Sequence, residues 1–348
     1  MNVYFDNAAT TKMSQVALDA MIPCLENVYA NASSLHTPGQ KSKEVLEKAR
    51  EEIAACIGAQ PNEIYFTSGG SEADNQAIVS AAKWGARRNK KHIISTAFEH
   101  HAVLHTLQKL EKEGYEVTYL DVHENGMVRL DELEAAIRPD TCLVTVMYAN
   151  NEIGSIQPIA EIGAICKEKS VYFHTDAVQA VGHLPINVKE QNIDMMSASA
   201  HKFHGPKGIG FLYARKGILL SNIIEGGAQE RGKRAGTENI PAIVGMAAAL
   251  KDVLAHQKEN AEKNTEDSGK KDAVKNSSMI ASNEMCTFLI INVSSLQLIP
   301  VNMIAYRAKY GSADPTAIVG PAILATAVST AGAVIFCKVV QNVKRLRY

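Results

Sequence analysis

The feature that most constrains the fold is an alternation along residues 1 to 255. Short runs rich in β-branched and aromatic residues follow one another: "EIYFT" (63–67), "HIIST" (92–96), "EVTYL" (116–120), "CLVTVM" (142–147), "VYFHT" (171–175), "DMMSAS" (194–199) and "GIGFLY" (208–213). Between several of them lie longer helical patterns such as "SEADNQAIVSAAKWGARR" (71–88) and "AVLHTLQKLEKEG" (102–114). Strands that alternate with helices, and that are themselves apolar, predict an α/β architecture with a mostly parallel sheet and helices on both faces. Ligands of such sheets bind at the carboxyl ends of the strands, so the residues just after each run are the candidates for chemistry.

Four of those positions stand out. After "EIYFT" come Ser68, Gly69, Gly70, Ser71 and Glu72. This is either a plain turn or an anion cradle, in which the glycines permit close backbone approach and Ser71 caps the next helix. After "HIIST" come Glu99, His100 and His101, a setting where a histidine commonly packs or caps. Asp176 follows "VYFHT", with Gln179 three residues on; the acid either caps a helix or accepts a proton from a ring nitrogen. His201 and Lys202 follow "DMMSAS", ahead of the Gly205–Gly208 turn, and a lysine at the ends of several strands is partly desolvated toward a nucleophilic range. Together, an anion cradle, a flat imidazole, an acid for a ring nitrogen and a Schiff-base lysine describe a site for pyridoxal 5'-phosphate.

The motifs then carry a resemblance. "YFDNAATT" (4–11), "NASSLHTPGQ" (31–40), "FTSGGSEADN" (66–75), "EHHAVL" (99–104), "ANNEIGSIQPI" (149–159), "HTDAVQAVGHLPI" (174–186), "SASAHKFHGPKGIGFLY" (197–213) and "RAGTEN" (234–239) occur in the order and spacing of a cysteine desulfurase. Residues 1–258 resemble that class V aminotransferase family, of the nitrogen-fixation and iron–sulfur-assembly type. The resemblance implies the large domain of the type I pyridoxal-phosphate transferase fold. It implies Lys202 as the cofactor-bound lysine and proton shuttle, and His100 stacked on the ring and active in acid–base steps. Asp176 would hold the ring nitrogen and Gln179 the ring oxygen. Gly70, Ser71, Ser199 and His201 would take the phosphate, Asn151 would lie near cofactor and substrate, and Thr237 would reach over from a second subunit of a homodimer. The implied reaction removes sulfur from L-cysteine, leaving alanine and a persulfide for an acceptor such as an iron–sulfur scaffold protein.

The remainder departs from the pattern. Residues 256–284 are polar and charge-rich and read as a linker. Residues 285–348 form a hydrophobic tail, expected to be helical and to stand where the family has a small C-terminal domain. Met285–Tyr306 and Pro315–Cys337 carry no charge, and the second is long enough to span a bilayer and is followed by Lys338, Lys344, Arg345 and Arg347. These stretches contact a membrane through 285–340 or pack as buried helices. The tail from Asn283 to Val340 resembles the end of a spore maturation protein A, a bacterial membrane family. The family needs a loop cysteine set among serines and glycines, and an arginine for the substrate carboxylate; neither motif occurs in 259–348. Cys286 and Cys337 sit in hydrophobic surroundings that disfavour a thiolate, and Cys24, Cys56, Cys142 and Cys166 read as core filler. An alternative therefore stands beside the enzyme: an inactive cofactor-binding remnant fused to a membrane-anchoring fragment.

Composition adds exclusions. With 36 basic and 37 acidic residues the net charge is −1, which offers no basic face for nucleic acid. The six cysteines lack CxxC or metal-like spacing, which points to reduced thiols in a cytoplasmic setting, and "MNVYFDNAATT" lacks the basic start and apolar run of a signal peptide.

Overall fold

The computed structural model describes residues 4–123 and 125–268, with side chains as far as residue 257. All seven expected runs are strands: β1 (Ile64–Thr67), β2 (His92–Thr96), β3 (Glu116–Leu120), β4 (Thr141–Thr145), β5 (Tyr172–Asp176), β6 (Met195–Ser199) and β7 (Gly210–Ala214). They form one sheet in the order β1-β7-β6-β5-β4-β2-β3. β3, β2, β4, β5 and β6 are mutually parallel, and β7 runs antiparallel to both β6 and β1. Six strands thus share a direction, as mostly parallel predicts, and only β7 opposes them. β2, β4, β6 and β7 are buried along their whole length, which accounts for their near-continuous apolar and small-residue composition.

The helices cover both faces. α3 (Gly70–Ala86) and α4 (His101–Lys112) lie on one, where Ala73, Ala77, Ile78, Ala81, Val103 and Leu107 pack with Ile93, Leu143 and Leu212 of the sheet. The alanine stripe of α3 lets its backbone approach closely, and a Cβ at Gly85 would fall 2.7 Å from the Lys90 carbonyl. The other face is covered by α2 (Thr37–Cys56), α6 (Ile159–Glu168) and α8 (Ile240–Ser268), through residues such as Leu46, Ile53, Ile162 and Met246. α1 (Gln15–Glu26), α5 (Leu130–Ala136) and the single kinked turn α7 (Gln229–Gly232) complete the described helices. α8 continues to Ser268, so the first part of the polar segment 256–284 is helical. Among the described residues no helix is long and apolar enough to cross a membrane, and the two uncharged stretches beyond residue 284 lie outside them.

One buried ion pair ties sequence-distant parts together. Arg50 of α2 meets Glu230 of α7 through two hydrogen bonds of 2.7 and 2.8 Å, with 2 % and 5 % exposure respectively. Arg50 also donates to the Ile64 carbonyl at 2.9 Å, and Glu230 accepts from the Phe66 amide at 2.9 Å, so the pair is stitched to β1. Glu230 (φ 47°) and Arg231 (φ 57°) are held in the left-handed region, a strain that persists because this pair over-determines the turn. Arg50→Met should therefore leave Glu230 buried and unpaired and cost about 3–5 kcal/mol. Denaturant unfolding of the full chain checks this value.

Candidate active site

The shared direction of six strands brings their carboxyl ends to one edge, and there a cavity of about 870 Å3 opens. Gly70 and Ser71 follow β1, His100 follows β2, Met147 and Asn151 follow β4, and Ser199 ends β6, the neighbour of β5, with His201 and Lys202 just after it. Asp176, the last residue of β5, and Gln179 complete the lining. Nine of the ten residues singled out from the sequence are thus brought together: Gly70, Ser71, His100, Asn151, Asp176, Gln179, Ser199, His201 and Lys202. Thr237 is not. It is exposed and lines two separate small cavities, one with Phe66 and Arg234 and one with Leu25 and Tyr29.

Two local expectations need correction. Gly69, not Ser71, is the N-cap of α3; its φ of 154° suits glycine, and Ser71 lies inside the first turn. No helix follows Asp176 either. The chain turns at Gly182 (φ 81°), and the Asp176 carboxylate accepts from the Val178 amide at 2.9 Å to cap that turn. Gln179 reaches the same cavity from the turn.

At the mouth of α3 the backbone is packed too closely for any side chain, since a Cβ at Gly70 would lie 2.5 Å from Val178 Cγ2. The free amides of the first turn and the nearby Ser199 hydroxyl and His201 ring make an anion cradle. Glu72 in that turn does not oppose an anion freely, because Arg234 holds it at 2.8 Å and the Ser68 amide at 2.8 Å. Burial works to raise its carboxyl, and these bonds outweigh it and leave it below the ordinary range.

On the opposite side the Lys202 amine donates to the carbonyls of Ala8 and Ala9. Burial lowers its pKa from the ordinary lysine range, against the pull of Asp176 and Asp6. Asp176 is 4 % exposed, and burial raises its carboxyl while the Val178 amide, His100 and Lys202 oppose the rise. His100 caps α4 by accepting from the Ala102 amide on Nδ1 at 3.1 Å, so the capping role and exposure to the cavity coexist in one ring. Burial and the neighbouring lysines Lys202 and Lys207 keep His201 toward its neutral form.

Several lining residues escaped the sequence reading. "DNAATT" forms a strap over the site. Asp6, Ala8, Ala9 and Thr10 line the cavity, Gln179 donates to the Ala8 carbonyl at 3.0 Å, and Thr11 ties the strap to the His201 carbonyl at 2.8 Å. Val178 and Asp74 also line it. The signal for Val178 was its position two residues past Asp176, in a turn mistaken for a helix. Asp74 carried no signal, because an aspartate one turn into a helix reads as surface. No cysteine lines the cavity among the described residues. Cys24 and Cys166 are buried, and burial lifts the Cys142 thiol to about 12. Phosphate ion should raise the melting temperature of the cofactor-free chain, and Gly70→Ala should weaken that binding roughly tenfold by closing the cradle. Melting curves against phosphate concentration read both effects.

Comparisons with known proteins agree with this geometry. The Aminotransferase class-V profile matches residues 3–298. Over 261 residues the chain is 52% identical to "Cysteine desulfurase IscS" of Clostridium botulinum (strain Hall), covering 75% of this chain and 66% of that protein. A solved "NifS-like protein" superposes with a TM-score of 0.73 at 43% identity, covering 75% of this chain and 72% of its own. The structure titled "SspA in complex with cysteine" gives a TM-score of 0.70 at 43% identity, with 72% of each chain covered. The chain spans about two thirds of the length of the curated relatives it matches. On the extent of the profile match and the agreement in fold, the chain belongs to the aminotransferase class-V family.

Proposed function

We propose that the chain binds pyridoxal 5'-phosphate in this cavity and removes sulfur from L-cysteine, leaving alanine. The observation that carries the reading is the pair of groups on the adjacent strand ends of β5 and β6, the buried Asp176 carboxyl and the Lys202 amine with its lowered pKa. The fit to the cofactor is supported by the α3 cradle, where glycine at position 70 lets the first turn pack directly against Val178. Gly70, Ser71, Ser199 and His201 would hold the phosphate, Asp176 the ring nitrogen, Gln179 the ring oxygen, and His100 the ring face, with Asn151 beside the substrate. The cofactor, when bound, supplies an electron sink for charge that develops on the substrate.

The chain's own residues supply the rest. Asp176 keeps a negative charge against the ring nitrogen. Lys202 takes a proton from the substrate α-carbon through Nζ and can return it, a role that its lowered pKa favours. His100 stands at the mouth with Nδ1 committed to the helix, which leaves Nε2 for proton exchange. Sulfur transfer requires a thiolate: it attacks the substrate Sγ, an S–S bond forms as the Cβ–S bond breaks, and Cβ gains a proton to give alanine and a persulfide. That thiolate is Cys286, Cys337 or an acceptor molecule, since the described cysteines lie off the cavity. The same observation favours a second reading, a chain that binds the cofactor without transferring sulfur.

The interface of a homodimer is supported by Leu25 and Tyr29, which are 60 % and 80 % exposed and share a cavity of about 230 Å3 with Thr237. A second copy on this face would carry its Thr237 toward the phosphate end of the first. Sulfur would pass to an acceptor such as an iron–sulfur scaffold, and residues 285–340 would bring the chain to a membrane.

Alanine production from L-cysteine, with cofactor and a thiol reductant, is the deciding assay. Alanine above a Lys202→Ala control is expected, and Cys24→Ala, Cys142→Ala and Cys166→Ala should each keep the rate. Cofactor uptake without alanine selects the second reading. Tyr29→Glu should give a monomer by sedimentation and weaken cofactor binding roughly tenfold, the loss Thr237→Ala should reproduce in the dimer.

A further inference from the structure

At and behind the cavity floor three carboxyl side chains share one dry region. Asp176 is 4 % exposed, Glu99 5 % and Asp74, on the second turn of α3, 1 %. Glu99 Oε1 is engaged by the Thr96 hydroxyl at 2.6 Å and the Met147 amide at 2.9 Å, while Glu99 Oε2 and Asp74 Oδ1 have no hydrogen-bond partner. Asp74 Oδ1 lies 3.6 Å from His174 Nε2. His174 shares a face of β5 with Asp176, two residues away, and is enclosed by the hydroxyls of Thr145 at 2.8 Å and Ser197 at 3.0 Å. That ring supplies no charge, because complete burial drives its pKa down to about 3.

The three acids differ in the cations that face them. Lys202 and His100 face Asp176. The groups that face Asp74 are Asp176 and the neutral His174 of β5, Glu99 of the loop after β2, and the Ser197 hydroxyl of β6. Among the described residues Asp74 forms no ion pair with a lysine or arginine. Two carboxyls that interact in a dry site do not both ionise, and the proton stays with the one lacking a cation.

We propose that Asp74 is a positioning residue held as the neutral carboxylic acid against His174 and Ser197, so that Asp176 alone carries negative charge toward the cavity. The consequence for the ring nitrogen rests on the cofactor reading above, whereas the protonation of Asp74 does not. A charged Asp74 would split the anion between two positions, only one of which can touch a ring. As a neutral acid it fills the space behind Asp176 without competing for the ring's positive charge. Burial and the Asp176 and Glu99 charges raise the Asp74 carboxyl well above its ordinary range, against a weaker opposing contact from Ser197.

A raised acid of this kind keeps its proton in the folded chain where the unfolded chain has lost it. Its contribution to stability is full below the ordinary aspartate range and falls as pH rises toward the folded-state value. Asp74→Asn is neutral at every pH and has the same shape. With full chain, cofactor-loaded and cofactor-free, the melting temperature of the wild type should fall relative to D74N between about pH 5 and about pH 8. While Asp74 stays protonated, the wild-type folding constant should lose up to about tenfold per pH unit relative to D74N. Parallel curves overturn the proposal.

D74N should bind pyridoxal phosphate within about threefold of the wild type and leave the pH midpoint of the bound cofactor's absorption unmoved. A tenfold change or a shifted midpoint means that Asp74 is charged in the site and overturns the proposal. If D74N does not fold, infrared spectra of the 13C-aspartate-labelled wild type should contain a protonated carboxyl band at neutral pH, and its absence overturns the proposal. A wild-type chain that takes up no cofactor refutes the cofactor reading alone, and the melting comparison still decides Asp74.

Discussion

A parallel sheet buried on both faces obliges each strand to be followed by a crossover that starts from the same edge. In this chain six strands obey that constraint, and everything chemical about the cavity depends on it. The residues concerned are spread from Asp6 to Gly208, and those after the strap need to be correct chiefly in their distance from a strand end. The exception, β7, serves the same edge with its amino end. Gly210 opposes Thr67 of β1 and Ser199 of β6, and the absence of a side chain there lets the turn after β1 approach the sheet.

Burial, which stabilises this sheet, also sets the charges of the site. Desolvation drives His174 neutral, lowers Lys202 and, with the Asp176 charge, raises Glu99 to about 8 against the hydrogen bonds from Thr96 and Met147. Burial raises Asp176 as well, and Lys202, His100 and the Val178 amide oppose that rise. The distribution of charge around the cavity therefore follows from which acid faces a cation.

Much of this was legible in the residues. The seven strands were visible because full burial demands continuous apolar or small residues, and the post-strand positions located Gly70, Ser71, His100, Asp176, Gln179, His201 and Lys202 without any tertiary information, while Asn151 and Ser199 came from the family resemblance. What was hidden depended on geometry between segments. The antiparallel direction of β7 leaves no mark on its composition. The turn after Asp176 resembled a helix because Ala177, Val178, Gln179 and Ala180 are good helix residues, and only Gly182 with its positive φ ends it. Thr237 stands apart from the cavity in one chain, and nothing local in "RAGTEN" distinguishes a residue that serves its own site from one that serves a neighbour's. Asp74 and Glu99 were unreadable for a simpler reason. A buried acid and a surface acid are the same letter.

The strap of residues 6–11 gives the free chain a resting position for its most reactive group. Lys202 is not a dangling amine. Two backbone carbonyls hold it, and Gln179 donates to the same Ala8 carbonyl. An aldehyde bound at Lys202 would take the amine away from those carbonyls, and the strap would keep the Gln179 bond to the Ala8 carbonyl and the Thr11 bond to the His201 carbonyl. The amino-terminal segment is in this sense a latch, closed by the same nitrogen whose chemistry opens it.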